Sequence, residues 1–317
     1  MSYRIKAFVT PHMELGESPL YREEDNTLHY VDVLGQKINI LQLGGVHKHE
    51  RRTIQCPEPI TFLSFHRDGG YLICSFSSIV RVTEDGEWTV LKRVFSDTTN
   101  MRFNDAGIDS LGRLWVGTID RSRKIPKSSP EADRHQPQGC IYRYDPDGTL
   151  SIAQEGGIGA GNGLCWSPDN CVMFLVDSYY NRIWAYDFDA AEGRIHNRRV
   201  VVMRNKTDGE ADGLLTDSQG NIYTFIWDGG VVIKYNPLGQ TLKEWNVNAA
   251  RVTHGAWVGP SLDQLIVTTA KREHASLEWE GEEAGALFYV PVVGCTGLRK
   301  NKFGCFLGYT GGVREVN

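Results

Sequence analysis

Short hydrophobic runs separated by turn residues recur along the whole chain, and almost nothing in it keeps a helical period. Six times a polar residue precedes an apolar stretch, a turn and a second strand rich in aromatic and branched side chains. The units are "ESPLYREEDNTLHYVDV" from Glu17, "TFLSFHRDGGYLICSF" from Thr61, "NDAGIDSLGRLWVGT" from Asn104, "NGLCWSPDNCVMFLVD" from Asn162, "DGLLTDSQGNIYTFIW" from Asp212 and "HGAWVGPSLDQLIVTT" from His254. Eleven places after each start stands Leu28, Leu72, Trp115, Met173, Tyr223 or Leu265, and the starts lie 44, 43, 58, 50 and 42 residues apart. Units of about 40–60 residues built from short strands predict an all-β fold, a six-bladed β-propeller forming one domain over residues 1–317. The stretches "GCIYRYDPDGTL", "NRIWAYDFDAAEGRI" and "GVVIKYNPLGQTL" read as outer hairpins of blades, with DPDG, AAEG and NPLG as their turns. A solenoid or a sandwich of six hairpins is the alternative; the repeat length and turn spacing suit blades better.

Placing the repeats in a propeller gives the polar residues a meaning. Innermost strands ring a central channel, so their equivalent ends converge. The six converging residues are Glu17, Thr61, Asn104, Asn162, Asp212 and His254, and none is apolar. Asn and Asp at a turn-to-strand junction often do no more than cap local backbone. Glu is a poor turn former, so Glu17 lacks that explanation. Two carboxylates, two carboxamides, a hydroxyl and an imidazole at one mouth form a polar site, and buried charges must be paired or coordinate a metal. No Lys or Arg stands in the ring, so a cation is the expected partner. The oxygen donors of Glu17, Asn162 and Asp212 suit a hard divalent ion, Ca²⁺, Mg²⁺ or Mn²⁺. If His254 joined them, Zn²⁺ or Fe²⁺ would also fit. Three protein ligands leave coordination positions open, as a catalytic metal needs. Such a site can polarise a carbonyl and activate water, and hydrolysis of an ester or lactone requires little more. There is no G-x-S-x-G elbow to supply a serine nucleophile.

Composition narrows the partners. With 41% hydrophobic and 23% charged residues the chain is ordinary for a soluble globular protein. A net charge of -5 offers no basic field for nucleic acid. No apolar run approaches the roughly 20 residues of a membrane helix, and "MSYRIKAFVTPHMELGE" lacks the apolar segment of a signal peptide. Seven cysteines without a CxxC pair indicate neither a zinc site nor a disulfide framework. A cytoplasmic protein, a monomer or weak dimer acting on a small molecule away from membranes, is the expectation.

Together "LGESPLYREEDNTLHYVDV", "MRFNDAGIDSLGRLWVGT", "PQGCIYRYDPDGTL", "GNGLCWSPDNCVMFLVDS", "EADGLLTDSQGNIY", "WDGGVVIKYNP" and "GALFYVPVVGCTGL" resemble the SMP-30/gluconolactonase family, also called regucalcin or luciferin-regenerating-enzyme-like proteins. The resemblance covers nearly the whole chain in order, with the family region at about 14–291. It implies a six-bladed propeller with one divalent metal at the channel mouth, Ca²⁺ first and Mg²⁺, Mn²⁺, Zn²⁺ or Fe²⁺ as alternatives. By matching motif the ligands would be Glu17, Asn162 and Asp212, with Asp212 also the proton acceptor and donor. Arg102 and Asn104 would match the family's substrate-binding residues. Asp105 would stabilise its turn or serve a second metal. The implied activity is a metal-dependent lactonase opening a sugar lactone to the aldonic acid. A non-catalytic calcium-binding regulatory propeller, or a hydrolase of another ester or natural-product lactone, remains open. Trp227, Trp257 and Tyr179 near blade ends would suit an apolar substrate, or would serve blade packing.

Two departures bear on the substrate. Vertebrate members carry an acidic substrate residue shortly after "GTM". Here "GTIDRSRK" puts Ser122 at that place with Asp120 the nearest acid, so Asp120 is the substitute candidate. His254 in "VTHGAWVGP" is the second departure, a further candidate for substrate contact. The polar insertion 121–138 accounts for the 58-residue gap between the third and fourth units and reads as a lid or a surface loop.

Overall fold

The computed structural model describes residues 3–122, 136–205, 207–271 and 279–304. Among them, twenty-four strands, β1 to β24 in chain order, and no helix form six four-stranded antiparallel sheets. The sheets are six blades around a channel, as the repeat predicted. The innermost strands are β2 (Gly16–Arg22), β6 (Ile60–Phe65), β10 (Met101–Ile108), β14 (Gly161–Trp166), β18 (Glu210–Thr216) and β22 (Arg251–Val258). The expected outer hairpins are present; for example β12 (Gly139–Tyr144) pairs with β13 (Leu150–Ile158). One element was not read from the sequence. The sixth blade takes its outermost strand from β1 (Ala7–Val9), which pairs with β24 (Leu287–Val290). The start of the chain therefore closes the ring that the last blade leaves open.

Burial falls from the channel outwards. The second strands β3 (Thr27–Asp32) and β7 (Tyr71–Ser75) are buried along their whole length, whereas β9 (Trp88–Arg93) is mostly exposed. The second strands sandwich between neighbouring blades, so both of their faces meet apolar side chains. Trp115 of the third blade meets Trp166 and Phe188 of the fourth edge-on, at centroid distances of 6.5 and 5.5 Å. Trp115 is fully buried, and its truncation to alanine would cost about 3–5 kcal/mol.

The turns after the inner strands repeat one device. Asp109 Oδ1 accepts the amides of Leu111 and Arg113, and Oδ2 accepts Arg113 Nε and Trp115 Nε1 at 2.6 and 2.8 Å. Asp217 does the same in the fifth blade, accepting the amides of Gln219 and Asn221 and the hydroxyl of Tyr223. These turns lie at the opposite end of the blades from the polar ring. They hold the scaffold and leave the mouth to other residues.

Candidate active site at the channel mouth

Every inner strand is interrupted where the polar residue stands. Pairing with the second strand slips between Glu17 and Leu20, Ile60 and Phe62, Phe103 and Ala106, Gly161 and Leu164, Ala211 and Leu214, and Val252 and Gly255. All six residues read from the repeat lie at or within these bulges. A bulge adds an unpaired residue, bends the strand and re-aims a side chain. Here it lets polar groups leave the strict in-out alternation of a buried strand. Ser18 next to Glu17 accordingly has a φ of 46°. Two glycines after ring residues permit the close approach of inner strands. A Cβ on Gly213 would lie 2.5 Å from His254 Cγ, and one on Gly163 would strike the Leu214 backbone.

The bulges surround a cavity of about 170 Å³ lined by Glu17, Arg102, Asn104, Asp105, Asn162 and Asp212, with Tyr179 and Trp227 among its walls. Five of the predicted site residues are thus brought together: Glu17, Arg102, Asn104, Asn162 and Asp212. Thr61 also lines it, with its hydroxyl donating to the Asn104 carbonyl at 2.7 Å. Asp105, Glu210 and Ser178 line it too, and the repeat had given none of them a place in the ring.

Glu17 and Asp212 are 9% and 6% exposed. Burial pushes the Glu17 carboxyl well above the ordinary carboxylate range, and Asp212 and Asp105 push it further. The Ser18 amide, donating to Oε2 at 2.9 Å, opposes them. Burial likewise raises Asp212, with Asp105 and Glu210 adding to it and a hydrogen bond from Asn162 opposing. Among the described residues no cationic side chain pairs with either acid. The third acid is treated differently. Asp105 Oδ1 accepts the Ala106 amide at 2.7 Å, and Oδ2 lies 3.3 Å from His254 Nε2. His254 Nδ1 lies 2.7 Å from the Gly255 amide and 2.9 Å from the Gly255 carbonyl, which holds the ring with Nε2 facing Asp105.

Arg102 is held in place from two directions. Nη1 donates to the Phe103 carbonyl at 2.9 Å and to Asn104 Oδ1 at 3.3 Å, while the guanidinium sits 4.3 Å from the Phe76 ring centroid. Burial and the charge of Arg121 pull its pKa down to about 10, so it stays charged at neutral pH. Asn104 Nδ2 donates to the Gly161 carbonyl at 3.1 Å, which binds this corner to the strand carrying Asn162.

Two expected substrate contacts stand elsewhere. His254 is 3% exposed and lies below the mouth, against Asp105, stacked on Phe225 and lining a second chamber of about 30 Å³. Asp120 is 1% exposed and is not among the residues lining the mouth. Its Oδ1 accepts the amide and hydroxyl of Ser122 and its Oδ2 accepts the Gln138 amide at 2.8 Å, so it joins the two ends of the insertion. Residues 123–135 of that insertion lie outside the described residues. Trp257, 4% exposed, donates to the Thr216 carbonyl and packs edge-on against Tyr223, so it belongs to blade packing.

The donor set fits a hard divalent cation: two desolvated carboxylates without an ion-pair partner among the described residues, and one carboxamide. Among the described residues no three His, Cys, Asp or Glu side chains gather as a metal cluster. The third donor here is an amide, which suits an oxygen-ligated ion better than zinc.

A family model described as the SMP-30/Gluconolactonase/LRE-like region matches residues 15–271. Regucalcin of Xenopus laevis is 26% identical over 95% of this chain and 99% of its own length. The pentonolactonase XacC of Haloferax volcanii is 30% identical over 88% of this chain and 91% of its own. Among solved structures, a luciferin-regenerating enzyme superposes with a TM-score of 0.82 at 24% identity, covering 95% of this chain and 100% of that one. A regucalcin of Agrobacterium tumefaciens, described as a calcium-binding protein, gives 0.81 at 23% identity over 95% and 98%. At these identities the two structures share the fold.

Proposed function

The chain belongs to the SMP-30/gluconolactonase/LRE-like family, and from that premise we propose that it is a divalent-metal-dependent lactonase acting on a sugar lactone at the channel mouth. The observation that carries this reading is the pair of buried acids, Glu17 and Asp212, facing one cavity with no cationic side chain among the described residues paired to either. Lactonase names among relatives of near-equal length support the reaction class.

Glu17, Asn162 and Asp212 would hold the cation, with Ca²⁺ the first candidate. Bound there, it would supply Lewis acidity toward the lactone carbonyl and lower the pKa of water. The chain's own groups do the rest. Asp212 accepts the proton of the attacking water as its oxygen bonds to the carbonyl carbon. It returns that proton to the ring oxygen as the C–O bond breaks, leaving the open hydroxy acid. Asp212 lines the same cavity as Arg102 and Asn104, so its carboxylate is placed to exchange a proton with groups bound there. Arg102, charged and rigidly held, offers N–H groups to substrate hydroxyls or to the product carboxylate. Asn104 Oδ1 accepts from Arg102 Nη1 and helps to fix it. Tyr179 and Trp227 wall the cavity and limit what enters.

The test is proton release on a lactone panel by chelator-stripped protein, then with Ca²⁺, Mg²⁺, Mn²⁺ or Zn²⁺ restored. Turnover lost on stripping and regained with one ion is expected. Full turnover by rigorously metal-free protein would overturn the metal-dependent reading. Tight calcium binding with no turnover on any lactone would favour a calcium-binding regulatory propeller instead.

A further inference from the structure

We propose that the turn Asp177–Asn181 is a clamp that positions two of the candidate metal ligands, and that Ser178 is the positioning residue that decides which end of Asn162 faces the cation. The inference rests on the metal site proposed above.

The turn joins the second and third strands of the fourth blade, β15 (Val172–Asp177) and β16 (Arg182–Asp189). Ser178 lines the cavity and is 7% exposed. Its hydroxyl donates to the Ala211 carbonyl at 2.7 Å. A hydroxyl has one proton, so toward Asn162 it can only accept. Asn162 Nδ2 donates to Ser178 Oγ at 3.1 Å, and Asn162 also hydrogen-bonds the Asp212 carboxylate. With the amide N–H groups so committed, Oδ1 is the atom left for a cation. Without the serine oxygen, the Asp212 carboxylate alone is left to distinguish the two ends of the carboxamide.

The same turn fixes the strands that carry the ligands. Asp177 is fully buried and accepts the amides of Gly159 and Ala160 at 2.9 and 3.0 Å, just before Asn162. The first blade repeats this arrangement. There Asp32 accepts the amides of Glu14 and Leu15 at 3.1 and 3.0 Å, at the same offset before Glu17. Asp212 has no such carboxylate in its own blade. Ile226 pairs opposite Ala211, and Trp227 follows it. The fourth blade supplies the hold instead. Asn181 Oδ1 accepts the Ala211 amide at 2.9 Å and its Nδ2 donates to the Gly209 carbonyl at 2.7 Å, while Ser178 takes the Ala211 carbonyl. Both backbone groups of the residue before Asp212 are therefore held across the blade boundary. Asn181 has the φ of 51° that Asn tolerates well, which brings its amide back over the turn.

The experiment is calorimetric titration of Ca²⁺ into the chelator-stripped full chain, with thermal melts of the metal-free proteins alongside. Ser178→Ala should weaken binding by about 10- to 100-fold, the usual cost of losing a group that orients a metal ligand. Ser178→Thr, which keeps the hydroxyl, should restore it. In an Asn162→Asp background both ends of the side chain are oxygen, so there Ser178→Ala should shift affinity by less than about threefold. Ser178→Ala binding Ca²⁺ as well as the unmutated protein would overturn the proposal alone. An equal loss in both backgrounds would also overturn it, since the serine would then act through the Ala211 backbone. Failure of the unmutated protein to bind Ca²⁺, and equally Mg²⁺, Mn²⁺ or Zn²⁺ in the same titration, would overturn both this proposal and the metal site beneath it.

Discussion

Replacing Glu17 with glutamine should stabilise the metal-free protein and weaken it relative to the unmutated chain once calcium is present. The substitution keeps the shape and an acceptor for the Ser18 amide, and it removes one of two buried acids that repel each other and Asp105. Relieving such a site typically gains about 0.5–2 kcal/mol. For a chain of 317 residues, with an unfolding entropy of about 2.1 cal/mol/K per residue, each kcal/mol moves the melting point by about 1.5 °C. The metal-free variant should therefore melt about 1–3 °C higher. Calcium at about 100 times its Kd adds about 2.7 kcal/mol to the unmutated protein, or roughly 4 °C. The variant, having lost a charged ligand, should gain little at the same concentration. The two proteins should exchange rank between melts in excess chelator and melts in excess Ca²⁺. A lower melting point for Glu17→Gln in chelator would refute the reasoning, because the carboxylate would then be holding the fold together.

The raised proton affinities of Glu17 and Asp212 mean that the metal-free folded state binds more protons than the unfolded chain, so their contribution to stability falls as pH rises from the ordinary carboxylate range through their raised values. Melts across pH should show that loss in chelator, a smaller one with Ca²⁺, and a smaller one in a Glu17→Gln/Asp212→Asn double variant; a slope identical in all three would assign it to other groups. At saturating cation, Asp212→Asn should lower kcat by about 10²–10⁴-fold, whereas Arg102→Ala should act mainly on KM. Near-normal kcat in Asp212→Asn would leave that residue as a ligand alone. His254→Ala leaves the buried Asp105 without its partner, so it should lower the melting point by about 1.5–4.5 °C for an expected cost of about 1–3 kcal/mol, with KM unchanged. A changed KM with an unchanged melting point would return His254 to the substrate.

What the sequence made legible was position along a strand. The repeat found the blades, the inner strands and the ring residues because a propeller copies one strand grid six times. It did not find direction. His254 shares its repeat position with Asp212, yet it faces Asp105 below the mouth, since each bulge re-aims its residue by local twist that no spacing encodes. Asn104 was read as the ring member, but the bulge in its strand gives both Asn104 and Asp105 access to the cavity. The closing strand β1 was missed because Ala7–Val9 is three residues long and pairs with a segment near the other end of the chain. Asp120 was assigned by proximity to a motif, and its carboxylate turned out to face the backbone of the insertion.

The clamp of the fourth blade bears on how a repeat fold acquires asymmetry. If each ligand strand were held by an aspartate of its own blade, that position would be structural in all three. In the first and fourth blades it is, at Asp32 and Asp177. In the fifth blade the neighbouring turn holds Ala211, and the corresponding stretch is released from that duty. Ile226 takes the aspartate's place opposite Ala211, and Trp227 after it lines the cavity. Arg251 lies over its ring at 4.4 Å and is anchored by Asp228 and the Lys271 carbonyl, each at 3.0 Å, so the indole is a fixed wall. With the restraint supplied by Ser178 and Asn181 of the fourth blade, neither Ile226 nor Trp227 is needed to hold Asp212. Substrate shape and ligand geometry are thereby assigned to different residues, and the wall can vary without loosening the ligands.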